Sequence, residues 1–505
     1  MDQIKKLYWA SAIVSICGII FEVLFGAVGS YILGDGVKQY SITIGLFLTG
    51  MGIGAYLSEK INDKLVQVFV IVEYLIGTIG GFSILILFGI TAYVGDGVDA
   101  IFLYFVITVV GGLTGLEMPI LIRKASELGS KLNKSTARVL FFDYIGSLIG
   151  TVAFVLLLRP YLEFVKTGFL IAIFNILIGI VITISFQKEI KSPKKLIFIG
   201  IFLLFILGLG FIFGNEIWFN FEQKLYRDPV VRAFETPYQR IIVTRQKDDI
   251  RLFIDGNIQF SSTDEYRYHE ALVHLPMNVA KKRDNILILG GGDGLALREI
   301  LKYDDVKRIS IVDLDRELIE FSKTDPLIKK LNKGSLESEK VKFYYQDALK
   351  FLQENQENIY DVIIVDLPDP NNESLNKLYT RTFYTQLRNH LSPDGAISVQ
   401  ATSPLFAREV YWTISKTVEA TGLKVLNYHV EIPSFGNWGF ILAGREKPNI
   451  DKIKLNIETK YLSDDLIPSL FHFGKDEGDL PNLKINTLNH PILIDLYQKA
   501  WKNYY

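Results

Sequence analysis

The chain has 505 residues, enough for two or three domains. Its formal net charge is -1 and it holds one cysteine, Cys17, which excludes a nucleic-acid partner recruited by bulk charge, a disulfide framework and a cysteine-based metal site. Hydrophobic residues make up 49% of the chain and mean hydropathy is +0.24, high for a soluble protein, with nearly all of the excess before residue 215.

Apolar stretches fall near 8–33, 41–58, 67–94, 99–122, 138–158, 165–186 and 196–214. Each is about long enough to cross ~30 Å of hydrocarbon at about 1.5 Å of rise per residue. The first is too long for a signal peptide and lacks a small-residue cleavage site, so it reads as a span. The expectation is an all-α transmembrane bundle over 1–214 with about seven spans, placing the chain in the cell membrane. Glu22, Glu73, Glu117 and Asp143 lie within these stretches. A carboxylate in hydrocarbon is costly, so each is expected to face the bundle interior, either as part of a cation path or as a buried paired group. Gly50, Gly52, Gly54, Gly111, Gly112 and Gly115 suit close helix packing.

From 215 to 235 the composition turns polar and aromatic, as in an interfacial linker. A small antiparallel β domain is expected over 236–283. Gln239–Thr244 and Ile250–Ile254 form its hairpin, and Ile258–Phe260 follows the Asp255-Gly256 turn.

The stretch Ile286–Asp315 reads as strand, glycine turn, helix, strand and terminal acid. Ile286–Leu289 suits a strand buried on both faces. Gly290, Gly291, Gly292 and Gly294 allow a sharp turn and close approach of a ligand. Asp313, after the strand Ile309–Val312, stands where an acid accepts hydrogen bonds from ribose hydroxyls. Asp293 inside the turn suits a pyrophosphate poorly, because helix N-termini recruit phosphate by being positive, and it welcomes a cation instead. That favours an S-adenosylmethionine-type ligand over a dinucleotide; the plain alternative is a structural tight turn. The expected fold over 284–445 is a Rossmann-like, methyltransferase-type α/β sheet. A polar C-terminal extension follows over 446–505, helical near 490–503 and packed on that domain.

Further motifs lie in order: Tyr238–Ile241, Leu252–Gly256 with Gln259, Asp264-Glu265-Tyr266, Tyr268-His269-Glu270, the glycine turn with Arg298-Glu299, Val312–Asp315, Asp347-Ala348, Asp361–Asp366, Asp369-Pro370, Leu378-Tyr379-Thr380 and Phe383-Tyr384. Across roughly 220–445 this series resembles the spermidine synthases, the polyamine aminopropyltransferases. Gly115–Pro119, Leu470–Phe473 and Asn486–Leu488 resemble patterns of the membrane-attached branch. The resemblance implies transfer of an aminopropyl group from decarboxylated S-adenosylmethionine, as co-substrate, to putrescine, giving spermidine and methylthioadenosine. No metal and no permanently bound cofactor is implied. Asp366 is then the proton acceptor, its structural alternative being a turn cap. Gln239, Asp313, Asp347, Ala348, Gly290 and Gly292 fall on the nucleoside side, and Tyr268, His269, Asp293, Asp369 and Gln400 on the amine side. Family members often form dimers or tetramers.

Three departures concern the amine half. Pro368 stands where a hydroxyl residue is usual, Asn371-Asn372-Glu373 replaces Ile-Gly-Pro, and Phe435 replaces a tyrosine. Aminopropyl or other alkyl transfer to a different amine is therefore one alternative, and a membrane polyamine transporter or sensor with a binding-only domain is another. Topology also stays open. Lys5 and Lys6, the basic loop 123–138 and the basic loop 187–195 all fall inside if the N-terminus is cytoplasmic. An odd span count then puts the nucleoside site outside, away from its expected supply, so either one segment does not span or the chemistry is extracytoplasmic.

Overall fold

A computed structural model describes residues 2–34, 36–95, 97–129 and 131–502. The chain divides into two compact units, Met1–Arg227 and Asp228–Tyr505.

The first unit is helical: α1 (Asp2–Leu33), α2 (Gly36–Leu57), α3 (Leu65–Tyr93), α4 (Val98–Glu127), α5 (Leu132–Ala153), the short α6 (Arg159–Tyr161), α7 (Phe164–Ser185) and α8 (Pro193–Leu225). A π-helical turn at Phe154–Leu158 joins α5 to α6. Among the described residues, seven helices are long and apolar enough to cross a membrane. The helix over Leu65–Tyr93 is continuous. Inside the unit lie Phe21, Phe25, Phe69, Val70, Ile107 and Phe169, while Ile101, Phe105, Leu148 and Phe198 point outward, each more than 60% exposed. Glu73 and Glu117 face inward and are buried. Gly50, Gly54, Gly111 and Gly115 line the α2–α4 seam, where an added Cβ would collide with the facing backbone of Phe47, Met51, Thr108 and Gly112. Close packing accounts for these glycines.

Residues 215–235, expected as a linker, are helix and strand except for 226–229. Helix α8 runs on to Leu225, because Glu216–Leu225 contains no helix-breaking glycine or proline. Then β1 (Val230–Glu235) pairs antiparallel with β2 (Arg240–Gln246). With β3 (Asp249–Ile254) and β4 (Asn257–Ser261) they form a four-stranded sheet in the order β1-β2-β3-β4.

Helix α9 (Glu265–Val279) leads into the second sheet, whose strands are β5 (Asn285–Gly290), β6 (Arg308–Asp313), β7 (Val341–Tyr345), β8 (Tyr360–Asp366), β9 (Leu391–Gln400), β10 (Lys424–Ile432) and β11 (Gly436–Gly444). Their order is β10-β11-β9-β8-β5-β6-β7. Strands β5 to β9 pair in parallel, and the β10–β11 hairpin closes one edge antiparallel. Intervening helices are α10 (Leu295–Ile300), α11 (Arg316–Thr324), α12 (Pro326–Asn332), α13 (Ala348–Glu354), α14 (Glu373–Asn376), α15 (Arg381–His390) and α16 (Arg408–Glu419), and α17 (Ile492–Lys502) ends the described chain. Position 503, the end of the expected terminal helix, lies outside the described residues.

The apolar run of β5 is buried on both faces: Ile286 and Ile288 join one core cluster, Leu287 and Leu289 the other. Chain order reverses beside β5, which continues to β6 on one side and meets the later β8 on the other. The carboxyl edge at that reversal is where such sheets hold ligands. Gly290 pairs with Asp366 across it at φ +84°, and a Cβ there would strike the Asp366 backbone carbonyl. Gly290→Ala is therefore expected to destabilise the α/β unit by about 2 kcal/mol or more, from left-handed strain plus the collision. Thermal unfolding of the purified chain checks this; an unchanged midpoint would show that the turn tolerates a side chain.

Candidate active site

The parallel strands deliver their terminal residues to one edge. Gly290 ends β5, Asp313 ends β6, Asp366 ends β8 and Gln400 ends β9. The turn after β5 adds Asp293, whose Oδ1 accepts the Leu295 amide at 2.9 Å and so is fixed at the start of α10. A Cβ on Gly292 would lie 2.6 Å from Asp313 Oδ2, so glycine there keeps open a cradle beside that carboxylate. Asp313 accepts the Asp315 amide at 2.9 Å. Burial, with Asp315 and Asp293 nearby, pushes its carboxyl up to about 6.

Buried Asp315 anchors this side. It caps α11 and accepts from Thr236 Oγ1 at 2.8 Å and Gln239 Nε2 at 2.7 Å. Gln239 is thereby tied to the β6 end through its amide nitrogen. Asp347 caps α13 and pairs with Lys377 at 2.7 Å, next to buried Ala348.

Asp366 is the centre of the other half. Its Oδ1 accepts the phenol of buried Tyr268 at 2.6 Å. Burial and, less, Asp293 raise its carboxyl against the pull of His269 and Tyr268, leaving it at about 6. Tyr268 and His269 are neighbours on α9, which packs along the sheet with Tyr268, His269 and Glu270 all buried. His269 Nδ1 donates to the Glu265 carbonyl at 2.8 Å and to Glu265 Oε2 at 2.9 Å. Burial pulls the imidazole down, but Glu265, Asp293 and Asp366 more than offset it and hold the ring at about 9, a cation at neutral pH. Arg298 grips Glu265 through two bonds of 2.8 and 2.9 Å. Burial would raise Glu265, yet His269 and Arg298 together hold it down at about 2.

Three residues beyond Asp366, burial raises the Asp369 carboxyl, and hydrogen bonds oppose the shift. Its Oδ1 accepts Gln400 Nε2 at 3.3 Å, and its Oδ2 accepts the Tyr497 phenol at 3.1 Å. Gln400 Nε2 also meets Tyr379 Oη at 2.7 Å and the Leu367 carbonyl, and its Oε1 accepts the Trp438 indole at 3.2 Å. Phe435 packs edge-on against Trp438 and Tyr268, with centroids 5.0 and 6.1 Å apart. Pro368 offers its carbonyl to Tyr379 at 2.9 Å.

The expected site residues thus form two linked clusters: Gly290, Gly292, Asp293, Asp313 and Gln239 around the glycine turn, and Asp366, Tyr268, His269, Asp369 and Gln400 beside it. Asp347 and Ala348 stand at the next strand end, beyond β7. Sequence reasoning gave no role to Glu265, Arg298, Trp438 or Tyr497. Glu265 was accessible through its helical i, i+4 spacing to His269; the others are brought in only by the tertiary fold. Among the described residues one metal-like grouping, His429, Glu431 and Glu477, comes together where no ligand spacing was visible. Its imidazole is already engaged by Asn437 and the His472 carbonyl.

An acid-rich strand edge with a glycine turn suits a cationic nucleoside and an amine, and the family comparisons agree with that chemistry. A family model described as the spermine/spermidine synthase domain matches residues 265–454. The polyamine aminopropyltransferase of Oceanobacillus iheyensis is 55% identical over 505 residues, covering 99% of this chain and 98% of its own. That of Leptospira interrogans is 39% identical over 501 residues, covering 98% of each chain. Among solved structures, a spermidine synthase in complex with the transition state analogue AdoDATO is similar at 25% identity and TM-score 0.46, over 48% of this chain and 85% of its own. The Thermotoga maritima spermidine synthase is similar at 25% identity and TM-score 0.45, over 48% and 84%. With relatives this similar along the whole chain, the protein belongs to the polyamine aminopropyltransferases and is an enzyme of aminopropyl transfer.

Proposed function

We propose that the α/β unit transfers the aminopropyl group of decarboxylated S-adenosylmethionine to putrescine, with Asp366 as the proton acceptor. The observation that carries this reading is Asp366 itself: a carboxylate at a strand end, bonded to a buried phenol and raised to about 6, beside the glycine turn. The amine lone pair attacks the methylene carbon next to the sulfonium. The C–N bond forms as the C–S bond breaks, its electron pair neutralises sulfur in methylthioadenosine, and the surplus ammonium proton passes to Asp366. The sulfonium is already an activated leaving group, so positioning and a local base carry the catalysis.

In this assignment Gly290 and Gly292 let the nucleoside lie against the turn, Asp313 holds the ribose and Gln239 lines the thioadenosine. Asp347, shared with Lys377, and Ala348 face the adenine. Asp293 takes the aminopropyl ammonium, and its charge also repels the carboxylate of intact S-adenosylmethionine. Asp369, backed by Gln400, takes the far ammonium of the acceptor. His269, being a cation, acts as countercharge to Asp366 and Asp293 rather than as a ligand for an ammonium. The altered amine half supports a second reading, in which the acceptor is a different amine: Phe435 offers no hydrogen bond, and Pro368 offers only its carbonyl.

We further propose that the helical unit is embedded in the membrane. Its seven long apolar helices turn large hydrophobic side chains outward and acids inward, the pattern a bilayer demands. The protein is then expected to stay in the membrane pellet through alkaline carbonate washing and to enter solution only with detergent; release by carbonate would remove the embedding.

Methylthioadenosine release from decarboxylated S-adenosylmethionine, measured with a panel of amines, tests the reaction. Asp366→Asn is expected to lower kcat by about 10²–10⁴-fold, the usual contribution of a general base. Turnover retained within a few-fold would remove Asp366 from the proton path. Asp366 accepts a proton only when ionised, so kcat is expected to rise with pH through about 6 and level off above it. A flat profile between pH 5 and 8, on the order of two units around that value, would contradict the assignment.

A further inference from the structure

The C-terminal extension reaches the centre of the amine half. Asn486, fully buried, straps it to the segment that carries Asp369. Its Nδ2 donates to Asn376 Oδ1 at 3.1 Å and to the Tyr379 carbonyl at 3.0 Å, and its carbonyl accepts the Arg381 amide at 3.0 Å. Its Oδ1 accepts the Ile492 amide at 3.1 Å, fixing the start of α17. Leu493 then buries completely in the core cluster beside β8 and β9, with Leu496 packed against it. These apolar contacts suffice to dock the helix. Tyr497 does something further: its phenol donates to Asp369 Oδ2 at 3.1 Å.

That bond matters because of what holds the other oxygen. Asp369 Oδ1 is taken by Gln400, whose position is set in turn by Tyr379 and Trp438. Two donors from distant parts of the chain therefore grip the two oxygens and fix the carboxylate plane. A carboxylate offers about four lone-pair directions, so accepting one bond at each oxygen leaves room for an ammonium. Pre-orienting the anchor removes an ordering penalty from binding.

We propose that Tyr497, delivered by the C-terminal helix, is a positioning residue for the acceptor amine: it orients Asp369 and so sets how tightly the far ammonium is held. The inference rests on the assignment of Asp369 to that ammonium. It makes the C-terminal extension part of the active site for one substrate and not for the other.

Steady-state kinetics of full-length Tyr497→Phe and Asp369→Asn, with both substrates varied, test it. Tyr497→Phe removes one oxygen atom and keeps the ring. It is expected to raise the KM for the amine about three- to tenfold, on the scale of one indirect bond to a charged group. The KM for decarboxylated S-adenosylmethionine and kcat should stay within about twofold, since no transition-state contact is lost. Asp369→Asn should raise the amine KM more strongly. If Asp369→Asn raises the amine KM and Tyr497→Phe does not, the Asp369 assignment stands and the role of Tyr497 is overturned. If Asp369→Asn leaves the amine KM unchanged, the assignment fails and takes the proposal with it. If Tyr497→Phe worsens both KM values and kcat together with the thermal midpoint, the tyrosine is structural and the proposal is wrong.

Discussion

Carboxylates crowd the carboxyl edge of the sheet, and the site depends on what keeps that crowd in place. Asp293, Asp313 and Asp366 each have the carboxyl raised, by burial first and then by a neighbouring carboxylate: Glu265 beside Asp293, Asp315 and Asp293 beside Asp313, and Asp293 beside Asp366. Like charges in a poorly solvated site force up one another's proton affinity unless a counterion is supplied. His269 supplies it, and can do so only because Glu265 holds its Nδ1 proton while Arg298 holds Glu265. Breaking such a buried network leaves an uncompensated charge, so its members act as one unit. Helix α9 carries Glu265, Tyr268 and His269 at i, i+3 and i+4, on one face, so a single packed helix sets both the countercharge and the phenol on Asp366.

The same crowding serves binding and chemistry. On the proposed assignment, a cluster of carboxylates would favour a sulfonium and ammonium groups over phosphate or carboxylate ligands. Burial, with Asp293 adding to it and His269 opposing it, lifts Asp366 to about 6, near enough to neutrality to take a proton and still be ionised beforehand. An isolated, solvated aspartate at its ordinary value would be a weaker base. Burial of a charged group, usually a liability, is the property that the proposed reaction would use here.

Local pattern made much of this legible in the amino-acid sequence. The apolar run Ile286–Leu289, the glycines after it and Asp313 at the next strand end announce a nucleoside-type turn, because a strand, a turn and a helix start are each specified within a few residues. The motif series placed Asp366 and Asp369 for the same reason. Residues that act through tertiary contact were not legible. Tyr497 sits 128 positions from Asp369, in a helix whose period shows an apolar face but not its destination. Trp438 reads as a strand aromatic until β11 places it over Gln400. Strand β1 was hidden because Val230–Glu235 adjoins a polar, aromatic stretch, and only pairing with β2 makes it regular.

The two halves of the site stand on different parts of the sheet, which bears on how the acceptor could differ while the donor stays the same. The nucleoside side is built from the ends of β5, β6 and β7, with Gln239 and Asp315 bonded to each other. The amine side is built from the ends of β8 and β9, from Phe435 and Trp438 at the β10–β11 hairpin, and from α17. A change at Phe435 travels through ring contact to Trp438, and from there by hydrogen bond to Gln400 and Asp369. None of those contacts includes the glycine turn or Asp313. On the proposed assignment, departures gathered at Pro368 and Phe435 would alter the grip on one amine while leaving the glycine turn and Asp313 untouched, and Asp366, which Phe435 reaches through Tyr268, would take its proton from whichever amine that grip admits.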